Sequence, residues 1–312
     1  MRYEKVVVTG GSGLLGRFVV EELARYCAVT VLDIVPPRAD VPFARADILD
    51  FSAVAQALAG QDAVVHLAGI DDGNASRDKD YFETNVQGAW NVFEAAEAAG
   101  LRQIVAASST AALGIDRARM PDYLPIDEEH PLHTTGTYGL SKQVIETVAR
   151  QYARRGRLRA VCLRPTLIVR PEMERAYLAQ LALDDPDRDP PPGFVDARGV
   201  APYGALSATR SYVRSADAAR CFRLALDYED AAFDLFNVSA VDSIGRVEAL
   251  TRMERVYGRL PPVRDPERYA RDPYASVLST DRTTAALGWR PEGDWRAIEA
   301  ALGAGASHGP TG

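Results

Sequence analysis

A tyrosine and a lysine four positions apart are the residues of this chain with the clearest chemical potential. Tyr138 and Lys142 lie in the run Thr137-Tyr-Gly-Leu-Ser-Lys142, and on a helix this spacing places both side chains on one face. A phenol gives up its proton reluctantly near neutral pH, and a neighbouring ammonium favours the phenolate. We therefore expect Lys142 to lower the pKa of Tyr138, making it a general acid and base. A solvated helix face is the alternative.

A glycine-rich segment near the start of the chain predicts a dinucleotide site. Lys5-Val-Val-Val-Thr9 is typical of a buried strand, and Gly10-Gly-Ser-Gly-Leu-Leu-Gly16 follows it directly, before a helical pattern. Gly10 would allow the tight turn, Gly13 the approach of the backbone to a diphosphate, and Gly16 close packing of helix on strand. The diphosphate would lie on the N–H groups at the positive end of the helix. The candidate cofactor-binding residues of this loop are Gly10, Gly13, Leu14, Leu15 and Gly16.

Acids at the ends of the next two predicted strands indicate which dinucleotide is bound. Asp33 ends the run Ala28-Val-Thr-Val-Leu-Asp33, where a carboxylate accepts hydrogen bonds from ribose hydroxyls and repels a 2′-phosphate. NAD is therefore favoured, although the nearby Arg38 leaves NADP open. Asp47, followed by Ile48, closes the third predicted strand, where an acid is placed to meet the adenine amino group.

Composition and charge restrict the class of protein. The chain has 312 residues, 47% hydrophobic and 25% charged, with a net charge of −7, which argues against nucleic acid or an anionic membrane as a partner. The cysteines are odd in number and widely spaced, which indicates free thiols in a reducing cytoplasm. The first strand begins almost at Met1, so we expect no signal peptide, and we see no membrane-spanning run. We expect no metal site, because no metal-ligand spacing is formed by His66, His130, His133 and His308.

Alternating strand and helix patterns predict an α/β fold, with a doubly wound parallel Rossmann sheet and a small C-terminal substrate-binding subdomain. Residues 1–166 would form the cofactor-binding domain. Residues 167–302 would mostly form the subdomain, with about 211–240 returning to the Rossmann core. Residues 184–202 are rich in Pro, Asp and Gly, which predicts a loop or lid, and residues 303–312 are expected to be a disordered tail.

Taken together and in this order, the motifs resemble those of the extended short-chain dehydrogenase/reductases, the NAD-dependent epimerase/dehydratase family. The resemblance stops near residue 170 and returns in the tail from Thr280 to Trp289, which contains Leu287-Gly-Trp289 and is followed by Pro291. Besides the glycine loop, the matching residues are Asp33, Asp47-Ile48, His66-Leu-Ala-Gly69, Asn85-Val-Gln-Gly88, Ser108-Ser109, Tyr138-Gly-Leu-Ser-Lys142 and Leu163-Arg-Pro165.

The resemblance implies a role for each matched residue. Tyr138 would move a proton while the nicotinamide accepts or gives hydride, Lys142 would bind the nicotinamide ribose, and Ser109 would hold the substrate hydroxyl or carbonyl. Asn85 would support the cofactor pocket, whereas His66 is expected to be a core residue. Further candidate cofactor-binding residues are Leu67, Ala68, Gly69 and Pro165, and candidate substrate-binding residues are Asp71, Thr110 and Arg210. Asp71 is a candidate because it follows the fourth predicted strand, and a solvated loop is the alternative there.

The expected reaction is hydride transfer at a hydroxyl or carbonyl carbon of a sugar or nucleotide sugar. Sugar dehydratases of this family carry an Asp-Glu pair after the active-site hydroxyl residue, and Thr110-Ala111-Ala112 stand here instead, which disfavours dehydration. The segment from Ser108 to Gly114 resembles both UDP-glucose 4-epimerases and uronate dehydrogenases. However, Leu113 replaces the usual tyrosine of the first, and Thr110-Ala111 replace the Asn-His of the second.

Several alternatives therefore stay open. Epimerisation and net oxidation or reduction are both compatible with the motifs, as is a carbonyl reductase acting on a non-sugar aldehyde or ketone. A non-catalytic NAD(P)-sensing protein is a further alternative, against which the intact Ser109, Tyr138 and Lys142 argue.

Two further features predict binding partners. Arg210-Ser-Tyr-Val-Arg214 resembles a family segment whose arginine meets a sugar-nucleotide diphosphate, and the alternative for Arg210 is a surface ion pair. The apolar faces of the helical patterns at 81–99 and 138–155 resemble the dimer seam of the family, so we expect a homodimer.

Overall fold

The computed structural model of the protein describes residues 1–174 and 208–306, with side chains up to residue 301. The predicted lid at 184–202, including Pro191 to Phe194, lies outside these residues, as does the stretch 307–312.

A seven-stranded parallel sheet, the predicted doubly wound Rossmann architecture, forms the centre of the fold. Its order is β3-β2-β1-β4-β5-β6-β9, and β7 and β8 form a separate parallel pair. The strands are β1 (Lys5–Thr9), β2 (Ala28–Asp33), β3 (Phe43–Arg45), β4 (Ala63–His66), β5 (Gln103–Ala107), β6 (Arg159–Pro165), β7 (Leu167–Val169), β8 (Tyr212–Arg214) and β9 (Phe233–Val238).

The strand order reverses between β1 and β4, and this crevice is where such sheets bind ligands. In the register of the sheet, Thr9 lies opposite Leu32 on one side and His66 on the other. His66 in turn lies opposite Ala106 of β5. The carboxyl ends of β1, β2, β4 and β5 therefore meet at one edge of the sheet.

Helices cover both faces of the sheet. They are α1 (Gly16–Leu23), α2 (Phe51–Leu58), α3 (Asp78–Tyr81), a π-helix (Phe82–Gln87), α4 (Gly88–Ala98), a 3₁₀ turn (Thr110–Leu113), α5 (Thr137–Arg154), α6 (Ser215–Leu226), α7 (Ala249–Tyr257), α8 (Pro266–Arg271), α9 (Asp281–Leu287) and α10 (Trp295–Ala306). Because side chains alternate along a strand, Val6 and Val8 of β1 pack towards α1 and α6. Val7 packs in the core formed with α2, α4 and α5.

Two sequence-based expectations differ from the observed helices. The pattern at 81–99 predicts one regular helix, but the helical run from Asp78 to Ala98 contains the six-residue π-helix. The tail expected to be disordered from residue 303 is helical as far as Ala306. The glycines of this segment were the reason for expecting disorder. The alanines between them have the highest helix propensity, and the helix α10 continues through them.

The C-terminal part of the chain contributes both to the sheet and to smaller apolar clusters. Strand β9 is the edge strand beside β6, and α6 packs in the same core as α1. One smaller cluster joins Leu124 and Ile126 to Met253 and Tyr269, and another contains Trp295 of α10. Within the described residues, we find no helix with the length and apolar character needed to cross a bilayer.

Candidate active site

The glycine loop between β1 and α1 is packed so tightly that Gly10 and Gly16 leave no room for a side chain. Gly10 has a φ of +69°, and a Cβ added there would lie 2.6 Å from the backbone nitrogen of Ala68. A Cβ on Gly16 would lie 2.0 Å from the carbonyl oxygen of Gly10. Gly13 closes the turn by donating its N–H to the same oxygen, at 3.0 Å. A loop with this geometry before the first turn of a helix suits a diphosphate, so it fits a dinucleotide.

Leu14 and Leu15 connect this turn to α1. Leu15 is the N-cap residue of the helix, and its carbonyl oxygen accepts the N–H of Val19 at 3.2 Å. The N–H groups of the first turn of a helix have no partner within that helix. The predicted anion-binding end of α1 is therefore formed directly after Leu14, at the switch point of the sheet.

Asp33 is held at the end of β2 so that it faces the glycine loop. Its two carboxylate oxygens accept the N–H groups of Ser12, at 3.0 Å, and Val35, at 3.2 Å. A carboxylate has about four acceptor positions, so both oxygens retain capacity for ribose hydroxyls. The local bonds fix the orientation of the acid without consuming its ability to accept.

Asp47 and Ile48, predicted as cofactor contacts, have different environments. Asp47 is exposed, and its carboxylate accepts the N–H of Leu49 at 2.9 Å. Ile48 is buried against α4, where a Cβ on Gly88 would lie 2.3 Å from the Ile48 side chain. Its side chain therefore packs the helix onto the sheet, and only the Asp47 carboxylate is open for an adenine contact.

The segment after β4 approaches the glycine loop through its backbone. The Thr9 hydroxyl accepts the N–H of Ala68, at 3.2 Å, and of Leu67, at 3.3 Å, and lies 2.8 Å from Nδ1 of His66. With its lone pairs accepting, Thr9 donates its own proton to that nitrogen. Burial, with a contribution from Lys142, lowers the pKa of His66 to about 3. His66 is thus a neutral core residue, as expected.

Asn85 links this segment to the helix that carries Tyr138. It lies in the π-helix and is fully buried, and its Oδ1 accepts the N–H of Ile70 at 2.7 Å while its Nδ2 donates to the Ile70 carbonyl at 3.0 Å. The same Nδ2 donates to Ser141 at 3.2 Å. A Cβ on Gly69 would lie 2.8 Å from Asn85 Oδ1, so the close contact requires glycine. π-helical turns are frequent at functional sites.

Four side chains from different parts of the fold surround Tyr138, two of them at its hydroxyl and two at its ring. The hydroxyl is hydrogen-bonded to Ser109, and it donates to Oδ1 of Asp71 at 3.4 Å. Lys142 Nζ lies 5.5 Å from the centre of the Tyr138 ring and donates to the carbonyl oxygen of Ala107 at 3.2 Å. The Tyr81 ring packs edge-on against Tyr138, with ring centres 5.6 Å apart.

The electrostatics of this cluster reverse one expectation. The pKa of Tyr138 is well above its usual value because the phenol is buried and because Asp71 and Asp72 disfavour the phenolate, which outweighs the hydrogen bond from Ser109. Burial also lowers the pKa of Lys142 to about 8, against the opposing effect of Asp71. The prediction that Lys142 lowers the pKa of Tyr138 is therefore wrong for this structure, because burial of the phenol has the largest influence on that pKa and the Asp71 and Asp72 carboxylates act in the same direction.

Thr110 and Pro165 lie beside this cluster. Ser109 accepts the N–H of Ala111 at 3.1 Å and so caps the 3₁₀ turn that begins at Thr110. The Thr110 hydroxyl donates to the carbonyl oxygen of Pro165, the last residue of β6, at 3.4 Å. The ends of β5 and β6 are thereby joined next to Ser109.

Arg210 lies in the C-terminal part of the fold, immediately before β8. Its carbonyl accepts the N–H of Ile244 at 3.0 Å, and only 3% of its surface is exposed, so it is a buried residue in this structure. Its φ of 49° is in the left-handed region, which costs a non-glycine residue about 1–3 kcal/mol. The sequence also missed Ser141 and Tyr81 as contacts of the site, although Ser141 lies inside the Tyr-Lys motif itself.

A Rossmann sheet with a tightly packed glycine loop, an acid at the end of β2, and a Ser-Tyr-Lys set at the carboxyl end of β5 defines the class of NAD-dependent oxidoreductases. Comparison with known proteins makes this specific. The model of the NAD dependent epimerase/dehydratase family matches residues 6–239. The chain therefore belongs to this family and is an NAD-dependent enzyme.

Individual relatives agree with the family. The chain is 27% identical to a UDP-glucose 4-epimerase of Corynebacterium glutamicum, covering 92% of this chain and 91% of that protein. It is 29% identical to a uronate dehydrogenase of Pseudomonas putida, covering 59% of this chain and 68% of that protein. A crystal structure of a short-chain dehydrogenase/reductase superfamily protein from Agrobacterium tumefaciens with bound NAD has a TM-score of 0.70 at 24% identity, covering 97% of this chain and 98% of that chain. That likeness shows the same fold.

Proposed function

We propose that this protein transfers hydride between NAD and a hydroxyl-bearing carbon of a sugar or nucleotide sugar, with Tyr138 as the acid and base. The observation that supports this most directly is the contact of the Tyr138 hydroxyl with Ser109 at the carboxyl edge of the sheet, with Lys142 on the same helix face. The relatives described above, a UDP-glucose 4-epimerase and a uronate dehydrogenase, act on sugars or nucleotide sugars by name.

In this proposal the glycine loop binds the diphosphate of the cofactor. Asp33 accepts hydrogen bonds from the adenosine ribose, and Asp47 contacts the adenine. The backbone of Leu67 to Gly69 lines the cofactor, with Asn85 fixing that backbone and Pro165 closing the far side. When bound, NAD supplies the hydride acceptor or donor of the reaction.

The chain's own groups divide the proton chemistry between them. Tyr138, as phenolate, accepts the substrate hydroxyl proton, and as phenol it returns one to a carbonyl. Ser109, hydrogen-bonded to the same hydroxyl, orients the substrate oxygen. Lys142, fixed by the Ala107 carbonyl, supplies positive charge and a contact for the ribose. Asp71 and Thr110 would contact neighbouring substrate hydroxyls, and Arg210 an anionic substrate group.

The test is a panel of sugars, sugar acids and nucleotide sugars, incubated with the protein and NAD. Net NADH formation would identify a dehydrogenase, and a new product without net reduction would identify an epimerase that retains its cofactor. If the protein converts only non-sugar aldehydes or ketones, it is a carbonyl reductase and the sugar proposal is wrong. If it binds NAD and turns over none of these compounds, the sensing protein replaces it.

Asp71→Asn should move the pH dependence of alcohol oxidation to lower pH. Oxidation needs the phenolate of Tyr138, so its rate rises with pH through the pKa of that group, and the Asp71 charge raises this pKa. Removing the Asp71 charge lowers the pKa of Tyr138, so the rise of the oxidation rate with pH moves to lower pH as well. The measurement is kcat against pH, with Asp72→Asn as the control, for which we expect a smaller shift in the same direction. If the rise of kcat with pH stays in place or moves to higher pH in Asp71→Asn, the contact between Asp71 and the Tyr138 hydroxyl is contradicted.

Asp33→Ala should weaken NAD binding about 10- to 100-fold, the range expected for lost hydrogen bonds to a charged group. It should also relax the rejection of NADP, because the mutation removes the negative charge that opposes a 2′-phosphate. Fluorescence titrations with NADH and NADPH measure both effects. A wild-type protein that prefers NADPH would refute the assigned role of Asp33 and favour Arg38 as the deciding residue.

We further propose that the protein is a homodimer. Large apolar side chains are exposed on the helical run that includes α4 and on α5, where Phe82 is 52%, Trp90 42% and Leu140 46% exposed. We expect light scattering at micromolar concentration to give twice the chain mass, and Trp90→Glu to shift the distribution towards the monomer. A monomeric wild-type protein would disprove the dimer.

Two further parts of the interpretation are proposals as well. We propose a cytoplasmic location, supported by the free thiols of Cys27, Cys162 and Cys221, which suit a reducing compartment. We also propose the division into a cofactor domain at 1–166 and a mainly substrate-binding part at 167–302. It is supported by the small apolar clusters formed with α7, α8 and α10.

A further inference from the structure

A buried ion pair joins the elements that carry the proposed catalytic side chains. Arg164 of β6 donates from Nε and Nη2 to the two carboxylate oxygens of Glu146 on α5, at 2.7 Å each. Arg164 is 2% exposed and Glu146 4%. The pair is bidentate, the geometry that fixes both distance and orientation between an arginine and a carboxylate.

The same carboxylate also holds the residue next to Ser109. Ser108 donates its hydroxyl to Oε1 of Glu146 at 2.5 Å and is itself buried. Glu146 lies four residues after Lys142, which lies four residues after Tyr138, so the three side chains follow one stripe of α5. One carboxylate therefore connects the end of β5, strand β6 and the helix of Tyr138.

The network continues away from the site into the edge of the sheet. Arg164 Nη1 donates to the carbonyl oxygen of Glu128 at 3.5 Å, and the Glu128 carboxylate accepts the N–H of Asn237 in β9 at 2.7 Å. Every member is buried. The ion pair is therefore held at both members, with Ser108 donating to Glu146 and Arg164 donating to the Glu128 carbonyl oxygen.

Stability alone is a weak reason for such a pair, because replacing a buried ion pair with apolar residues of similar volume is often neutral or stabilising. Orientation is a better reason here. Tyr138 is the second residue of α5, and the N-cap residue Gly136 provides no side-chain cap. The end of the helix that carries the reactive hydroxyl is therefore positioned by side-chain contacts rather than by a cap, and the Glu146 contacts lie about two turns further along the same helix.

We propose that Glu146, held by Arg164 and Ser108, is a positioning residue that sets the distance between the Ser109 and Tyr138 hydroxyls. This inference rests on the proposed function, since it concerns how those two groups are aligned for proton transfer. Ser108→Ala is the mildest test, because it removes one hydroxyl-to-carboxylate bond and leaves the ion pair in place.

A matched control exists near the amino ends of the strands, opposite the carboxyl ends where Ser109 lies. Tyr228 donates its hydroxyl to Oδ2 of Asp234 at 2.6 Å, also in a buried setting, and Asp234 lies near the amino end of β9. Tyr228→Phe therefore removes the same kind of bond far from Ser109. Thermal denaturation of both variants shows whether they lose similar stability.

Ser108→Ala should lower kcat about tenfold with little change in KM or NAD affinity, whereas Tyr228→Phe should leave kcat unchanged. Ser108→Ala should also move the rising part of the kcat–pH profile for oxidation to higher pH, because the Ser109 hydrogen bond that lowers the pKa of Tyr138 is weakened in that variant. The other groups facing Tyr138, namely Asp71, Asp72, Lys142 and Tyr81, are unchanged in this variant.

The positioning role is overturned if Ser108→Ala keeps the wild-type kcat and pH profile, whether or not its melting temperature falls. It is equally overturned if Tyr228→Phe shows the same losses, since the effect would then be general destabilisation. Failure of the proposed function is a separate result. It would appear as full activity in Tyr138→Phe, which Ser108→Ala does not test.

Discussion

Tyr138→Phe is expected to lower kcat about 10²- to 10⁴-fold, the usual contribution of a positioned general acid and base. The substitution removes only the hydroxyl that contacts Ser109 and Asp71. The ring and its edge-on contact with Tyr81 are retained. NAD affinity should therefore stay nearly unchanged, and the loss should appear in kcat. Steady-state kinetics on the substrate found in the panel, together with an NADH titration, measure both quantities.

Tyr81→Phe is the matched control for this experiment. Its hydroxyl lies in the same region and donates to the backbone carbonyl oxygen of Asp71 at 3.4 Å, rather than to the Asp71 carboxylate that Tyr138 contacts. We expect less than a threefold change in kcat, in line with one weak hydrogen bond. A Tyr138→Phe variant as active as Tyr81→Phe would remove Tyr138 from the mechanism.

The second large effect is expected from Gly16→Ala. A Cβ at this position would lie 2.0 Å from the carbonyl oxygen of Gly10 and 2.7 Å from Cα of Gly11. Both neighbours are backbone atoms, so the loop itself must shift. Overpacking of this kind costs about 1–3 kcal/mol, and the shift falls on the loop proposed to bind the diphosphate. We expect NAD affinity to fall about 10- to 100-fold, together with a lower melting temperature.

Gly293→Ala provides the comparison. Among the described residues, a Cβ there would meet only Nη1 of Arg214, at 3.8 Å, which is ordinary contact. We expect changes within about 0.5 kcal/mol in stability and no change in NAD affinity. Calorimetric titration with NAD and thermal denaturation test both variants. Normal NAD binding by Gly16→Ala would show that the loop can relax, and would argue against its role as a rigid diphosphate cradle.

The raised pKa of Tyr138 gives the proposed reaction a direction that depends on pH. At neutral pH the group is a phenol, which can donate a proton to a carbonyl oxygen, whereas oxidation of an alcohol needs the phenolate. Reduction should therefore be favoured at lower pH and oxidation at higher pH. The Asp71 carboxylate contributes to this bias, which is why Asp71→Asn tests it directly.

Local patterns along the chain were enough to predict the architecture and the cofactor. The β-branched run at 5–9, the glycine spacing from Gly10 to Gly16 and the acid at position 33 each describe a local conformation or a local end of a strand. Such features depend on near neighbours in the chain, so spacing is enough to predict them. Tyr138 and Lys142 were predictable for the same reason, since both lie on one face of α5.

The surroundings of Tyr138 and of its helix depend on contacts between residues that are far apart in the chain. Asp71 reaches it from the segment after β4, and Ser108, Glu146 and Arg164 meet from β5, α5 and β6. Sequence spacing fixes which face of its own element a side chain occupies, but it does not give the distance to a side chain on another element. The sign of a pKa shift depends on those distances and on burial. That is why the sequence predicted a lowered pKa for Tyr138 while the folded protein raises it.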